Sequence, residues 1–421
     1  MRIQSEKARI NTERYVEPTQ MELDTILLQS EMLFKEARWS LPENWCSYEA
    51  FLEAVRRIDK SSSPGIPYMA DKPTNGEWLG WNEFLQDGDP ARMQQLWRYV
   101  QDEIQNSQRK QHIYRVFVKD EMHKQAKAEE GRWRLIIAAA LPQQVVWQMV
   151  FRHSNDKLIE KAATIPAAQG TNFCKGGWKL FRARIQDENL KYAIDKQAWD
   201  INAPAWVFKA DVQLRKRLCD KPDPVWFALA QRLYAEAFGY SHELLLGGAT
   251  TVALSDGSIF EQQRLGFMKS GLVNTISANS NAQVFMHLLA CNRLGKPYSP
   301  IIACGDDTLQ AQVSDAYLDE LEKAGCVVKE VQQVPQFMGF DFANTIEPIY
   351  LAKHLATISH APSHVVGDIL HAYLSYYAHS PYFEQWQDLS LNLGFTTYSK
   401  EYYLAWNDNP NFDRLVPLLL R

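Results

Sequence analysis

The sequence predicts an α+β fold built from more than one subdomain. Its 421 residues exceed the size of one ordinary hydrophobic core. The composition, 46% hydrophobic and 23% charged, is that of a globular protein. Segments with helical periodicity are mixed with short strand-like segments, without the regular alternation of a parallel α/β sheet. The polar amino end is not that of a secretory signal, and we find no apolar run long enough to span a bilayer.

The first 165 residues predict helices that lead into a pair of strands. Apolar residues recur at helical spacing within residues 20–60. These helices end at the Ser-, Pro- and Gly-rich loop `KSSSPGIPY` (60–68). `HIYRVFVKDE` (112–121) alternates as a strand does, and a lysine-rich loop connects it to the apolar strand `RWRLIIAAA` (132–140). Residues 142–162 then read as a helix.

The second half predicts a long helix among short strands. `KYAID` (191–195) is a short strand, and 270–295 is a glycine-containing loop entering a long helix. `SPIIACGDDTLQAQV` (299–313) reads as strand, tight turn and strand. An amphipathic helix (315–325) and the strand `CVVKEV` (326–331) follow. The remaining residues predict a hairpin and a helical end, while the order of the strands does not follow from these patterns.

Charge is distributed unevenly along the chain. The net charge is −5, yet residues 109–134 hold eight Lys or Arg against four Asp or Glu, and residues 152–191 do the same. Locally basic surfaces in an acidic protein suit a polyanionic ligand. Ordinary solvated faces explain the charge equally well. The chain has no P-loop, no paired-histidine zinc protease motif and no G-x-G-x-x-G, which argues against those ATPase, zinc and dinucleotide sites.

Two acidic segments could form a metal site. `GDD` places Asp306 and Asp307 in a tight turn, and an apolar strand ends at Asp195. If that strand packs beside the hairpin, Asp195 meets Asp306 at the edge of the sheet. Converging carboxylates suit Mg²⁺, and two such ions about 3.5–4 Å apart support in-line phosphoryl transfer. Taken alone, the segments are equally two unrelated acidic turns.

A polar stripe and a cationic loop could bind a nucleotide. Ser270 and Gly271 precede the long helix, whose Thr275 and Asn279 lie on one face. Gly271 allows close backbone approach to a ligand, and Asn279 with Asp200 could hydrogen-bond a ribose 2′-OH. Read alone, this is an ordinary polar helix face.

The loop between the first two predicted strands carries cations suited to a triphosphate. These are Lys119, Lys127 and Arg134. Considered by itself, the segment favours a solvated charged hairpin.

Together, these segments resemble the ordered motifs of RNA-dependent RNA polymerases of positive-strand RNA viruses, in the picornavirus-like supergroup. The matching segments are `SSSPGIPY` (motif G), `VKDEMHKQAKAEEGRWRLI` (F), `DKQAWD` (A), `SGLVNTISAN` (B), `GDD` (C), `AGCVVKEV` (D) and `QFMGFDF` (E). The resemblance covers about residues 60–355. `SPGIPY` and the Trp199-Asp200 pair are most similar to the sobemovirus-like branch.

The resemblance implies a right-hand fold with fingers, an antiparallel palm sheet with packed helices, and a small helical thumb. It implies fingers over 1–185, including an N-terminal index-finger region and part of the palm after about residue 136. Palm follows at 186–210 with motif A, a fingers insertion at 211–265, palm with motifs B to E at 266–350, and thumb at 351–421.

The resemblance also implies roles for residues at matching positions. The catalytic metal ligands would be Asp195 and Asp306, assisted by Asp307, for two Mg²⁺ ions that Mn²⁺ could replace. Lys329 would be the acid for pyrophosphate departure, with Lys323 as its competitor. The remaining positions divide into triphosphate contacts (Lys119, Lys127, Arg134), ribose recognition (Asp200, Ser270, Thr275, Asn279), a further NTP contact (Gly271) and template contacts (Ser63, Pro64, Gly65).

The implied partners are template and nascent RNA, NTPs, and a protein primer or other replication proteins. The implied location is a replication complex in the host cytoplasm, with any membrane association supplied by partners. His123 stands where picornavirus relatives usually have arginine, which puts one phosphate contact in doubt. The short segment after motif E leaves both de novo and protein-primed initiation open.

Two other functions remain to be separated from RNA synthesis on RNA. A reverse transcriptase would share the palm and metals, but it usually carries a bulky aromatic residue at the position of Asp200 and Y-x-D-D at motif C. The sequence here is `ACGDD`, which favours ribonucleotides. A non-enzymatic RNA-binding replication protein would explain the basic segments but not the joint spacing of motifs A, B and C.

Overall fold

The computed structural model describes residues 14–105, 112–239, 250–262 and 265–414. The helices within these ranges are α1 Gln20–Leu33, α2 Tyr48–Arg57, α3 Asn75–Leu79, α4 Pro90–Gln105, α5 Gln125–Glu129, α6 Leu141–Glu160, α7 Gly177–Asp187, α8 Trp199–Asn202, α9 Ala205–Leu218, α10 Pro224–Phe238, α11 Thr275–Arg293, α12 Asp315–Lys323, α13 Leu351–His360, α14 Val366–Tyr376, α15 Phe383–Asn392 and α16 Lys400–Asp408. The strands are β1 Ile113–Val118, β2 Leu135–Ala138, β3 Tyr192–Lys196, β4 Thr251–Ala253, β5 Ile259–Glu261, β6 Ile301–Cys304, β7 Asp307–Gln310, β8 Val328–Gln332, β9 Gln336–Phe337, β10 Phe340–Asp341 and β11 Glu347–Pro348.

The helix that the motif-B-like segment enters, α11, is the most enclosed long helix in the described chain. All its residues from Ser277 to Cys291 are buried. A helix that is buried on all faces belongs in the core of a large domain. It packs on α1, α9, α12 and β6. The polar side chains on α11 are therefore held in fixed surroundings, and Gly295 follows the helix in a left-handed conformation.

The sheet that carries the acidic segments is antiparallel, in the order β6-β7-β3-β8. Ile194 of β3 lies opposite Thr308 of β7, and Asp195 lies opposite Glu330 of β8. The β6–β7 hairpin closes tightly, with Cys304 opposite Asp307. This register brings the end of β3 beside the `GDD` turn, as the sequence predicted.

In a second four-stranded sheet, β1 and β2, which flank the lysine-rich loop, are joined by β4 and β5 from much later in the chain. Its order is β2-β1-β4-β5, with β1 antiparallel to β2 and parallel to β4. A small third sheet, β11-β10-β9, leads into helices α13–α16. These four helices surround a separate core that includes Leu370, Leu374 and Trp386. The predicted α+β class and the antiparallel sheet with packed helices are confirmed.

The described residues contain no helix with the length and apolarity to cross a bilayer. Parts of the predicted fingers (1–185), of the insertion (211–265) and of the predicted thumb (351–421) lie outside the described residues.

Candidate functional site

The predicted metal-binding aspartates lie on neighbouring strands at one edge of the β6-β7-β3-β8 sheet. Asp306 occupies the β6–β7 turn, Asp307 begins β7, and Asp195 is the penultimate residue of β3. Asp306 and Asp307 are exposed, and the Asp195 side chain is 51% exposed. Gly305 adopts φ +62°, which a tight turn needs and which glycine adopts without strain.

Lys196, which sequence reasoning missed, holds this turn from the buried side of the sheet. Its Nζ donates to the main-chain carbonyl of Asp306 at 2.8 Å and also contacts Thr308 Oγ1. Lys196 is only 6% exposed, and burial lowers its pKa, although the neighbouring thiol and carboxylates oppose that change. Strand alternation could have identified it, because residues 194 and 196 share a face opposite Asp195.

Ser280, also missed, fixes the turn from α11. Its hydroxyl accepts a hydrogen bond from the Gly305 N–H at 2.9 Å and donates to the Ile276 carbonyl at 2.7 Å. The hydroxyl thus joins the buried helix to the acidic turn. Helical spacing alone gives no signal for this contact, because it depends on how α11 packs against β6.

Of the two lysines considered for the acid role, Lys329 is at the site. Its Nζ forms an ion pair with the Asp195 carboxylate, and this hydrogen bond raises the pKa of Lys329 despite some burial. Lys323 instead pairs with Asp319 and Glu320 on its own helix, at 2.7 Å in each case.

The donor set at this edge has the oxygen chemistry that Mg²⁺ prefers. Although Asp307 reaches solvent, the protein atoms around it remove part of its hydration; this loss and repulsion by Asp306 raise the pKa of Asp307 to about 6, and Lys196 opposes the change. Crowded carboxylates of this kind gain from a cation between them. Among the described side chains, no three His, Cys, Asp or Glu residues already stand in a metal-holding arrangement, and Asp195 is turned to Lys329. The side chains are of the type that binds Mg²⁺. For Asp195 to be a ligand, its ion pair with Lys329 must break.

Asp200 and Asn279 are in direct contact, as the ribose hypothesis requires. Asn279 Nδ2 donates to Asp200 Oδ1 at 3.2 Å, and the indole N–H of Trp199 donates to Asn279 Oδ1 at 2.8 Å. Burial and the charge of Asp306 raise the pKa of Asp200 to about 6, while the Asn279 amide and Arg134 act in the opposite direction. The Asn279 amide therefore connects the buried Trp199 to Asp200.

The loop before α11 is fastened to strand β2. Ser270 Oγ donates to the Leu135 carbonyl at 3.1 Å and accepts from the Ile137 N–H at 3.3 Å. Gly271 pairs with β2 so closely that a Cβ there would lie 2.7 Å from the Ile137 carbonyl oxygen. The close approach seen at Gly271 is therefore to protein backbone. Approach to a ligand stays a prediction.

The Thr275 side chain is hydrogen-bonded to the loop that precedes α11. Its hydroxyl donates to the Leu272 carbonyl at 2.7 Å and contacts the Lys269 carbonyl at 3.0 Å. Thr275 and Asn279 are thus on one helix, but only the Asn279 side chain is hydrogen-bonded to Asp200 among the contacts described.

Two of the three predicted triphosphate cations share a carboxylate. Glu121 contacts Lys119 Nζ at 2.9 Å and an Arg134 guanidinium nitrogen at 2.7 Å. Burial raises the pKa of Glu121, but the hydrogen bonds from both cations outweigh it and the pKa is lowered. Lys127 lies exposed on the short helix α5. His123, the departure from the arginine pattern, accepts the Arg134 backbone N–H through Nε2 at 3.0 Å.

The predicted template loop packs against the junction of β2 and α6. The Arg115 guanidinium donates to Ser63 Oγ at 3.0 Å, and the Leu141 N–H donates to the Pro64 carbonyl at 2.8 Å. Gly65 has φ +69°, and a Cβ there would lie 2.7 Å from the Ala139 carbonyl oxygen. β2 therefore connects this loop to the Ser270–Gly271 segment.

Residues 17–311 match the viral RNA-dependent RNA polymerase family. Protein P1-P2 of Potato leafroll virus is 27% identical over 360 residues, which cover 79% of this chain and 32% of that protein. The RNA-directed RNA polymerase of Mushroom bacilliform virus is 28% identical over 279 residues, covering 62% of this chain and 64% of that protein.

A solved structure matches over nearly the whole length. It is the Sicinivirus 3Dpol RNA dependent RNA polymerase, with a TM-score of 0.70, 17% identity, and coverage of 93% of this chain and 87% of that one. This likeness confirms the predicted right-hand fold. The chain spans about a third of the length of the Potato leafroll virus protein that it matches.

Proposed function

This chain belongs to the viral RNA-dependent RNA polymerase family, and we propose that it copies RNA on an RNA template. In each cycle the 3′-oxygen of the growing strand bonds to the α-phosphorus of an NTP, and the bond to the leaving pyrophosphate breaks. The observation that carries the proposal is the register that sets Asp195 beside the Asp306–Asp307 turn. The contact between Asp200 and Asn279 supports it.

The carboxylates of Asp195, Asp306 and Asp307 would hold two Mg²⁺ ions, for which Mn²⁺ could substitute. When bound, these ions activate the attacking hydroxyl and neutralise charge on the leaving oxygens. The chain's own contribution is to hold the turn in place through Lys196 and Ser280. Lys329, the lysine beside Asp195, is assigned the role of giving a proton to the departing pyrophosphate.

The remaining predicted residues form the proposed nucleotide and template contacts. The cations for the triphosphate are Lys119, Lys127 and Arg134. Ribose recognition is assigned to Asp200 and Asn279, and the loop of Ser270, Gly271 and Thr275 borders them and joins β2. Ser63, Pro64 and Gly65, which also pack on the β2–α6 junction, are assigned to the template.

The proposed subdomains keep the boundaries expected from the sequence: fingers 1–185 and 211–265, palm 186–210 and 266–350, thumb 351–421. The separate core of α13–α16 supports the last of these. The proposed partners are template RNA, nascent RNA and NTPs, together with other replication proteins or a protein primer. The proposed place of action is a viral replication complex in the host cytoplasm.

Primer extension on an RNA template tests the activity. With Mg²⁺ or Mn²⁺ the wild type should add NMPs, and Asp306→Asn should lower the rate by at least about 10³-fold, since it removes a carboxylate from the proposed metal site. The matched control is Asp315→Asn, an exposed aspartate at the start of α12, which should retain wild-type rates. Equal background incorporation by wild type and Asp306→Asn would contradict the proposal.

Two further measurements separate the rival functions. A preference for NTPs over dNTPs distinguishes RNA synthesis from reverse transcription, and the Asp200–Asn279 contact supports that preference. RNA binding without metal dependence and without nucleotide turnover would instead indicate a non-enzymatic RNA-binding protein. Templates offered with and without a primer report the mode of initiation in the same assay.

A further inference from the structure

Trp199 is a buried aromatic residue directly before Asp200. It is 2% exposed and lies in the main hydrophobic core. Its indole N–H points to the Asn279 side-chain oxygen at 2.8 Å, and the Asn279 nitrogen in turn faces Asp200 at 3.2 Å. Three side chains therefore form an ordered series, with the tryptophan at its buried end.

The hydrogen-bonding capacity of these groups determines how the amide is oriented. An indole N–H can only donate, and an ionised carboxylate can only accept. An amide between them must turn its oxygen to Trp199 and its nitrogen to Asp200. If the Asn279 amide were flipped, its NH₂ group would face the indole donor and its oxygen would face the Asp200 carboxylate. Neither pair of groups could form a hydrogen bond. Trp199 thus stabilises the orientation in which the Asn279 nitrogen lies beside Asp200.

The backbone around Trp199 keeps the indole in position. The Ala203 N–H donates to the Trp199 carbonyl at 2.7 Å, and Asn202 Nδ2 donates to the Gln197 carbonyl at 2.9 Å. The Gln197 N–H is bonded to the Val327 carbonyl at 2.8 Å, next to β8. The short helix α8 is therefore tied to the sheet edge that carries Asp195.

The geometry points to Trp199 as a positioning residue for ribose specificity, acting by orienting the Asn279 amide beside Asp200. This inference rests on the proposed function, because it assigns the Asp200–Asn279 pair to the 2′-OH of an incoming NTP. Loss of the indole N–H leaves a buried amide oxygen without its donor, and the amide is then free to seek other partners. The position of the Asn279 amide donor that faces the 2′-OH then becomes less well defined. Binding of an NTP is weakened, whereas a dNTP lacks the 2′-OH and loses no hydrogen bond.

The test is the ratio of kcat/KM for an NTP to that for the matching dNTP in primer extension. Trp199→Phe keeps an aromatic ring and removes the N–H, and we expect the ratio to fall about 5- to 10-fold, as for one lost hydrogen bond. Replacing the indole by benzothiophene keeps the bicyclic shape without the N–H and should give the same fall. The benzothiophene variant replaces Trp199→Phe in the test if Trp199→Phe does not fold.

Trp226→Phe is the matched control. Trp226 is fully buried, and its indole N–H donates to the Val150 carbonyl at 2.9 Å, away from the Asp200–Asn279 pair. A general loosening of the core would lower incorporation of both nucleotides, so this control should leave the ratio at the wild-type value. An active Trp199 variant with an unchanged ratio overturns the inference alone. A wild type that incorporates neither nucleotide overturns the proposed function and the inference with it.

Discussion

The Nζ of Lys196 lies 2.8 Å from the carbonyl oxygen of Asp306, on the buried side of the turn whose carboxylates face outward. A single lysine side chain thereby connects the end of β3 to the β6–β7 turn, in addition to the strand pairing between Ile194 and Thr308. Buried lysines are rare unless hydrogen-bonded. The placement indicates that the ammonium group sets the position of the acidic turn.

Lys196→Met should lower the free energy of unfolding by about 1–3 kcal/mol. Methionine fills similar space, but it leaves the buried acceptors around Nζ without their donor. Urea unfolding of the metal-free protein measures the change. Lys209→Met, on an exposed position of α9, is the control and should change the value by less than about 0.5 kcal/mol. An equal effect at both positions would contradict the assigned role.

Ser280→Ala should reduce the rate of nucleotide incorporation while leaving the fold intact. The substitution removes the acceptor of the Gly305 N–H, so the turn that carries Asp306 is less well fixed. We expect kcat to fall about tenfold, since misplaced reacting groups are costly. Ser390→Ala, which alters a buried serine of α15, should leave kcat unchanged. If kcat is lost only in proportion to the folded fraction, measured by circular dichroism, the positioning role is wrong.

Lys329→Met should lower both the Mg²⁺ concentration that the enzyme requires and the rate of incorporation. In the metal-free site Lys329 pairs with Asp195, a proposed metal ligand, so a metal must displace it. Both side chains are about half exposed, and such pairs contribute at most about 1 kcal/mol. We therefore expect the Mg²⁺ concentration for half-maximal rate to fall about two- to fivefold while kcat also falls.

Lys323→Met is the control for that experiment. Lys323 pairs only with carboxylates of its own helix among its described contacts, so both quantities should keep their wild-type values. A loss of kcat in Lys323→Met with none in Lys329→Met would reverse the assignment of the proton donor.

The elements that carry the acidic site could be predicted from sequence because their signals are local. The turn at Gly305, the strand that ends near Asp195 and the helix after Asn274 follow from alternation, helical spacing and glycine placement. The meeting of Asp195 with Asp306 was predicted only as a consequence of one strand packing beside another. The observed register of Ile194 with Thr308 confirms that condition.

The contacts that fix the site depend on long-range packing, and so they were missed. Ser280 reaches Gly305 because α11 packs on β6. From the sequence, Gly271 was expected to let the backbone approach a ligand closely. In the structure its close neighbour is the Ile137 carbonyl of β2, more than a hundred residues earlier. Neither periodicity nor residue type specifies which surface a glycine approaches.

Removal of one partner from the buried pair of Arg215 and Asp211 should strongly destabilise the helices around α11. The two side chains are 2% and 0% exposed and 3.0 Å apart. Arg215 also donates to Ser154 of α6 and Ser277 of α11. Removing one partner of a buried pair leaves an uncompensated charge. We therefore expect Arg215→Met to lower the free energy of unfolding by about 3–5 kcal/mol, measured by urea unfolding.

The exposed pair of Arg57 and Asp156 provides the control. These side chains are 44% and 43% exposed, and Arg57→Met should cost less than about 1 kcal/mol because solvent screens the pair. Similar losses in the two variants would show that burial of Arg215 is not what makes its pair important.

Asp200 should make the metal-free protein less stable as pH rises through a defined window. Its pKa is raised from 3.8 to about 6, first by burial and then by the charge of Asp306. Between these values the folded protein retains a proton that the unfolded chain has released. The free energy of unfolding therefore falls as pH rises through the window, and this contribution is constant above it.

Asp200→Asn lacks this titration. Its stability relative to wild type should therefore increase between about pH 4 and pH 7, as measured by urea unfolding in metal-free buffer. Asp256→Asn is the control and should keep a nearly constant difference from wild type over this range, because hydrogen bonds from the Ser258 backbone and hydroxyl lower the pKa of Asp256 and so place its titration below pH 4. A difference between Asp200→Asn and wild type that stays constant across this range would show that the carboxyl of Asp200 is not held in its protonated form by its surroundings.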